Sequence, residues 1–442
     1  MSRPPAVPGD VFAELAAGAG GKRAMRMFAA AERARRLVLL RSVVVFAQRK
    51  SHERAWELTE AYDLLADLHE DHEDAVERVL GYPTVGTWVT RMLKALTSKH
   101  GGGPQVLAYL QSLAVAAAIV AGVDQELELT VAGGRVVLPS LGTARLATAP
   151  RRDFTRVTVR TGPSGGELYG TGSVTFIPQN PDHYAEGWTG VRKLLSQYRS
   201  RTLEVFLDDV DPYRIPEGWP VRRQRPATAQ RWQEVLDEAW ELMIDHHPAY
   251  AEEVESGLTM IVPLHPPHGR TVSSTSRHAF GAFAGSLPKD GRILASLFAH
   301  ELQHAKLWAL IDLVPLTEKP AKAEPLLYAA WRDDPRPPSA LLNGAYAHLA
   351  VASFWRTQRF LDDGQAAQRA HTEYARWRRH TSDAIQTLLD SGHLTPAGID
   401  FVTGMADTVG QWRSDSIPAA ADLQARVASA RHYRAWMLRN ER

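Results

Sequence analysis

Ile293-Leu294-Ala295-Ser296-Leu297-Phe298-Ala299-His300-Glu301-Leu302-Gln303-His304-Ala305-Lys306-Leu307-Trp308-Ala309-Leu310 decides how the rest of the chain is read. Neither Gly nor Pro interrupts the run, and its apolar residues recur three and four apart, so a helix is expected over Gly291–Leu313. In such a helix His300 and His304 project from one face, one turn apart, and both can reach a single divalent ion. Glu301 lies about 100° further round, where it can stand beside an ion-bound water or gas ligand. A His-Glu-x-x-His pattern can also arise by chance on a core helix, more easily with 17 histidines in the chain. The uninterrupted helical setting weighs for a metal site.

Two histidines leave a coordination sphere unfinished, and the third ligand decides the class of chemistry. A metzincin continuation requires Gly at 307 and His at 310, where Leu307 and Leu310 stand. A Glu from a following helix would suit a gluzincin, but Glu318 and Glu324 fall in a Pro-rich loop and Glu373 on a polar face. His348 is the better candidate. It is a lone polar side chain in the apolar run Leu341–Val351, on the next long helix, expected over Ser339–Arg359. The plain alternative is a satisfied core histidine. His371, His380 and His393 lie among Arg, Ser and Thr and are expected to be solvated; His246, His247, His265 and His268 neighbour prolines and are weaker candidates. The stretch Pro315–Pro338 between the two ligand helices is too long for a hairpin turn and is expected to wrap the site.

Composition bounds the remaining possibilities. The 442 residues, 44% hydrophobic and 23% charged, suit two or three globular domains rather than a disordered or coiled-coil chain. Fifty-one basic against 50 acidic residues leave a net charge of +1, which gives no global case for nucleic acid. The absence of cysteine excludes disulfides, thiolate catalysis, iron–sulfur clusters and Cys-type zinc sites. Any metal must be held by His, carboxylate or water. No secretory signal is read at Met1–Asp10, and the Ala-rich run within Val106–Val123 is too short to span a bilayer. A buried helix, no membrane partner and a cytoplasmic location are expected.

Organisation along the chain points to an α+β fold, predominantly α-helical, in three segments. Residues 1–124 read as a helical region, with helices at Phe12–Leu15, Arg23–Gln48, Glu53–Val79 and Thr87–Thr97 and a loop at Gly101–Pro104. From Gln125 the period changes to two, and residues 125–212 read as a small antiparallel β region with Gly-rich turns. Residues 213–442 read as the helical metal-binding region. It is expected to pair the His300–His304 helix with a second ligand helix, carry short strands at Ile261–Leu264 and Ala279–Ala284, and continue as a helix over Gln365–Leu389.

Several stretches resemble the HExxH-type peptide-modification proteins of bacterial gene clusters for ribosomally made, modified peptides. These are His300–Leu307, Asp208-Asp209-Val210-Asp211-Pro212-Tyr213-Arg214, Ser273–Gly281, Trp331-Arg332-Asp333-Asp334-Pro335-Arg336-Pro337 and Gly344–Trp355. Tyr82–Trp88 and Leu394–Gly398 extend the likeness over nearly the whole chain. The resemblance implies an Fe(II)- and 2-oxoglutarate-dependent oxygenase that uses O2 to hydroxylate Cβ of a residue in a precursor peptide, its partner. Under that implication His300, His304 and His348 hold the iron and Glu301 is catalytic.

The distal carboxylate of 2-oxoglutarate needs a fixed cation, for which the planar fork of Arg is best. Arg332 and Arg336 are the first candidates and Lys306 the second, although Lys306 falls on the far side of the helix from His304. Ser273, Ser274 and Ser276, with the strand that follows, are candidates to line the cleft and pair with an extended peptide. Three histidines depart from the usual two-His, one-carboxylate iron site. Glu301 turned inward as a ligand is awkward beside His300. Two alternatives stand. One is a Zn(II) metallopeptidase with Glu301 as general base; the other is a non-catalytic peptide-binding protein with a structural metal.

Overall fold

The structure is a computed structural model, and it describes residues 7–98, 104–146, 154–170, 172–180, 183–215, 219, 222–266, 271–319 and 324–440. The expected break at 101–103, His268 and part of the Pro-rich stretch, 320–323, lie outside the described residues. Among the described residues, six helices come first: α1 (Gly9–Ala16), α2 (Gly21–Arg49), α3 (Ala55–Asp71), α4 (Glu73–Leu80), α5 (Pro83–Thr97) and α6 (Pro104–Ala121). The single helix expected over Glu53–Val79 is broken at His72, which takes φ −137° and separates α3 from α4.

The described strands that follow are β1 (Gln125–Ala132), β2 (Arg135–Leu138), β3 (Gly142–Arg145), β4 (Phe154–Gly162), β5 (Gly165–Gly170), β6 (Ser173–Pro178), β7 (Trp188–Gly190), β8 (Arg192–Tyr198) and β9 (Arg201–Leu207). The rest comprises α7 (Pro226–His246), α8 (Pro248–Gly257), β10 (Met260–Leu264), β11 (Ser273–Ser274), β12 (Ala282–Ser286), α9 (Gly291–Leu313), α10 (Pro338–Gln358), α11 (Gly364–Asp390), α12 (Pro396–Gln411) and α13 (Ala419–Asn440). The class is α+β and predominantly α. No described helix is long and apolar enough to cross a membrane.

The expectation of one antiparallel region over 125–212 is corrected. Strands β1–β7 form an antiparallel sheet in the order β6-β5-β4-β1-β2-β3-β7, but β8 and β9 leave it for a second sheet, β11-β12-β10-β9-β8. That sheet is mixed: β9, β10 and β12 run parallel, with antiparallel strands β8 and β11 at its edges. Parallel strands need coverage on both faces, and here two separate cores supply it. Leu203, Val205, Leu207, Ile261 and Phe283 point into one core; Phe206, Met260, Val262, Ala282 and Ala284 point into the other. The strict alternation explains why every residue of β10 and β12 is buried. The expected strand at Ala279–Ala284 therefore starts later, because Gly281 takes φ +90° in the turn that enters β12.

The two cores cut across the three sequence segments. Helix α2 contributes Ala24, Met25 and Phe28 to the core around α9 and α10, and Leu40, Val43, Val44 and Ala47 to the core under the seven-stranded sheet. The Asp208–Arg214 stretch fastens this junction. Asp208 accepts from the Tyr82 hydroxyl at 2.7 Å and from the backbone N–H groups of Val210 and Asp211. Asp211 accepts from the hydroxyls of Thr84 and Tyr109 and from the N–H of Tyr213. Buried carboxylates so fully hydrogen-bonded tie α5 and α6 to the end of β9.

Candidate metal centre

Helix α9 starts at Asp290, whose carboxylate accepts from the Ile293 N–H at 2.9 Å, an N-cap that fixes the helical register. The helix lies on the mixed sheet through Phe298, packed edge-to-face on Phe283 with ring centroids 5.0 Å apart. That register sends His300 and His304 away from the sheet and leaves Glu301 facing β11 and β12. The Nε2 atoms of His300 and His304 are 3.1 Å apart. Two nitrogens about 2.1 Å from one ion stand about 3.0–3.4 Å apart at octahedral to tetrahedral angles, so the pair has ligand spacing.

His348 reaches the pair from α10. Its ring centroid is 5.0 Å from that of His300, nearly the 4.7 Å that separates the His300 and His304 rings, and both pairs are edge-to-face. Imidazoles sharing one ion place their centroids about 4.5–5.2 Å apart. Two indoles hold the His348 ring: Trp331 on one contact and Trp377 on another, with centroids 4.4 and 4.3 Å away and interplanar angles of 21° and 29°. Its Nδ1 is 2.8 Å from the Gly344 carbonyl oxygen, and that bond places the proton on Nδ1 and leaves Nε2 as the donor to a metal. Among the described residues, no three or more His, Asp or Glu side chains yet converge as a finished metal cage. His300 and His304 converge, and His348 stands in ring contact with the first of them.

The electrostatics suit a cation. Burial pushes His300 well below the ordinary imidazole range, reinforced by His304 and His348. Burial also takes His304 down to about 4, with the Asn343 side chain opposing it, and His348 down to about 3, against its bond to Gly344. Neutral imidazole is the form that binds a metal. Burial raises Glu301 to about 7, with Ser273 pulling the other way. Its Oε1 is 4.0 Å from His300 Nε2 and its Oε2 has no hydrogen-bond partner. His304 Nδ1 is likewise buried and unpartnered. A close nitrogen pair, a third imidazole with a fixed tautomer and an orphaned carboxylate oxygen form a donor set that fits a divalent metal.

Other sequence candidates fall differently. Lys306 is withdrawn from cosubstrate binding: it is fully buried on the opposite face of α9, 2.7 Å from Glu253 and 3.0 Å from the Ala19 carbonyl. Arg332 and Arg336 both pair with Asp334 at 2.9 Å, and they hold its carboxyl down to about 2. The expected wrapping loop is there, but it reaches the site through Trp331 rather than through those arginines. Ser273 and Ser274 form the edge strand β11, with Ser273 beside Glu301; Ser276 lies beyond the strand. His380 is buried, contrary to the solvated reading, and meets the Ser429 hydroxyl at 2.7 Å. His247 stacks on Phe354, His265 meets Gln224, and Glu373 accepts from the Trp377 indole, so none of these joins the cluster.

Sequence reasoning missed Trp377 and Arg376, adjacent on α11. Arg376 acts by charge on His348, lies over the Trp377 ring at 4.5 Å, and has a buried Nε without a partner. Which face of a polar helix meets a ligand helix is settled by tertiary packing, and nothing local signals it. No family model matches the chain, and no curated protein is similar to it.

Proposed function

We propose that the protein is an Fe(II)- and 2-oxoglutarate-dependent oxygenase that hydroxylates Cβ of a residue in a ribosomally made precursor peptide. The observation that carries the metal is the 3.1 Å His300–His304 pair with His348 locked beside it by two indoles. The sequence resemblance supports the choice of reaction. His300, His304 and His348 would hold the iron, which supplies oxygen activation coupled to decarboxylation of 2-oxoglutarate. The balance is peptide C–H, O2 and 2-oxoglutarate giving peptide C–OH, succinate and CO2.

The chain's own groups set the geometry around that chemistry. Trp331 and Trp377 fix the His348 ring plane and exclude water from its faces. Gly344 fixes its tautomer. Glu301 stands between the histidine pair and β11, where a peptide added to the edge strand would pass. With three neutral ligands, the charge on the metal is met by the cosubstrate carboxylate rather than by the protein.

A second reading, a Zn(II) peptidase, is favoured by one observation: Glu301 is buried with a free oxygen beside the ligand pair, where a general base would sit. One assay separates the two. Protein reconstituted anaerobically with Fe(II) is given the precursor peptide, 2-oxoglutarate and O2. Succinate in step with a peptide heavier by one oxygen atom is the expected result. Peptide cleavage with Zn(II) and no succinate would replace the oxygenase by the peptidase.

A further inference from the structure

Helix α5 presents Thr87, Thr90, Arg91 and Lys94 on one face, the positions i, i+3, i+4 and i+7 of a helical stripe. Opposite them lie Thr275 and Ser276, which follow the edge strand β11, and His278 in the turn after them. With Ile215 these side chains enclose a cavity of about 220 Å³. No carboxylate lines it. Its charge is positive: Lys94 and Arg91 are on the wall, and the charge of Lys94 acts on His278. Asp312, the carboxylate that acts on His278, is already paired with Arg277 and Arg35. Hydroxyls complete the wall. The Thr87 side chain is buried, only 7% exposed, and its Oγ1 has no hydrogen-bond partner. Ser276 Oγ accepts from the His278 N–H at 3.3 Å, and its own proton can be donated inward.

Thr90 and Thr275 donate to the Gly86 and Ala282 carbonyls, so two cations, the Thr87 and Ser276 hydroxyls and the absence of a lining acid define a seat for a carboxylate. We propose that this cavity binds an Asp or Glu side chain of the peptide that lies along β11. The inference rests on reading the metal centre as a peptide-modifying site. Ser273 lies beside Glu301, and Ser276 is three residues on, about 10 Å along an extended chain. The acidic residue is therefore placed about two to four positions from the residue that is hydroxylated. Substrate selection on this side of the centre is electrostatic, and a basic residue at that position is rejected.

The test uses a dye-labelled nonapeptide of alternating Val and Ser with one central Asp, and its Asn twin. Binding to the full-length, Fe(II)-loaded protein is read by fluorescence polarisation without O2. The expected result is binding of the Asp peptide about tenfold tighter than the Asn peptide, the factor one well-made charge contact gives. That ratio falls to about two or less in Lys94→Glu and in Lys94→Met, both at an exposed position, while 2-oxoglutarate binding is unchanged. Equal binding of the two peptides by the native protein, or binding of neither, overturns the proposal. Weaker 2-oxoglutarate binding in Lys94→Glu with an unaltered peptide ratio also overturns it, and gives the cavity to the cosubstrate's carboxylate. The two readings fail separately: an Asp preference in a protein that forms no succinate keeps the cavity and removes the oxygenase. Succinate formation without an Asp preference does the reverse.

Discussion

Trp331 lies flat on His348, ring centroids 4.4 Å apart, and reaches it only because residue 344 has no side chain. A Cβ on Gly344 would meet the Trp331 indole nitrogen at 2.4 Å. Gly344→Ala is therefore expected to push the indole off the histidine, at an overpacking cost of about 1–3 kcal/mol. Losing a partner that orients a ligand lowers metal affinity about 10–100-fold. Metal titration of the folded variant is the check, and unchanged affinity would show that the stack does not position His348.

Arg376 acts by charge on His348, and its Nε is buried without a partner. Arg376→Ala is expected to raise KM for 2-oxoglutarate at least about tenfold, the scale of one lost charge-assisted contact. Arg332→Ala, which removes only an exposed partner of Asp334, is expected to leave KM within about twofold. Steady-state succinate release measures both, and the reverse ranking would place the cosubstrate's carboxylate at the loop arginine.

The Lys306–Glu253 pair is buried on both sides, 0% and 1% exposed, at 2.7 Å. Removing one partner strands the other charge, so Lys306→Ala is expected to cost about 3–5 kcal/mol in urea unfolding. Its KM for 2-oxoglutarate is expected to stay constant. A rise in KM without a loss of stability would put Lys306 back among the cosubstrate ligands.

Burial and the neighbouring Asp208 push the Asp211 carboxyl up to about 7 by disfavouring its charged form. The folded state thus holds this proton more tightly than the unfolded chain does. Stability from this group is complete below about pH 4 and is lost as pH rises through about 7. Relative to Asp211→Asn, the native protein is expected to lose stability across that window, measured by urea denaturation at several pH values. A difference that does not vary with pH would show that Asp211 is charged throughout.

What could be read from the chain, and what could not, follows from the range of each interaction. The α9 helix, its two histidines and the isolation of His348 in an apolar helix are local patterns, visible at spacings of three and four. The failure of Lys306 was also half visible, since its position puts it across the helix from His304. The departure of β8 and β9 from the first sheet was not visible, because an alternating strand carries no mark of which neighbour it will pair with. The arginines of the Trp331–Pro337 stretch drew attention by their charge, yet the residue that touches the site is the apolar Trp331. Trp377 and Arg376 lie on a helix whose polar sequence gives no sign that one face closes the centre.

Metal content in the native protein, His304→Ala and His348→Ala, after anaerobic loading with Fe(II) and removal of excess metal, tests the three-histidine centre most directly. One iron per chain is expected in the native protein, with loss of iron in both variants and their folds intact by circular dichroism. Full occupancy in His348→Ala would contradict it: His348 would then be a stacked core histidine, and the third ligand would lie elsewhere.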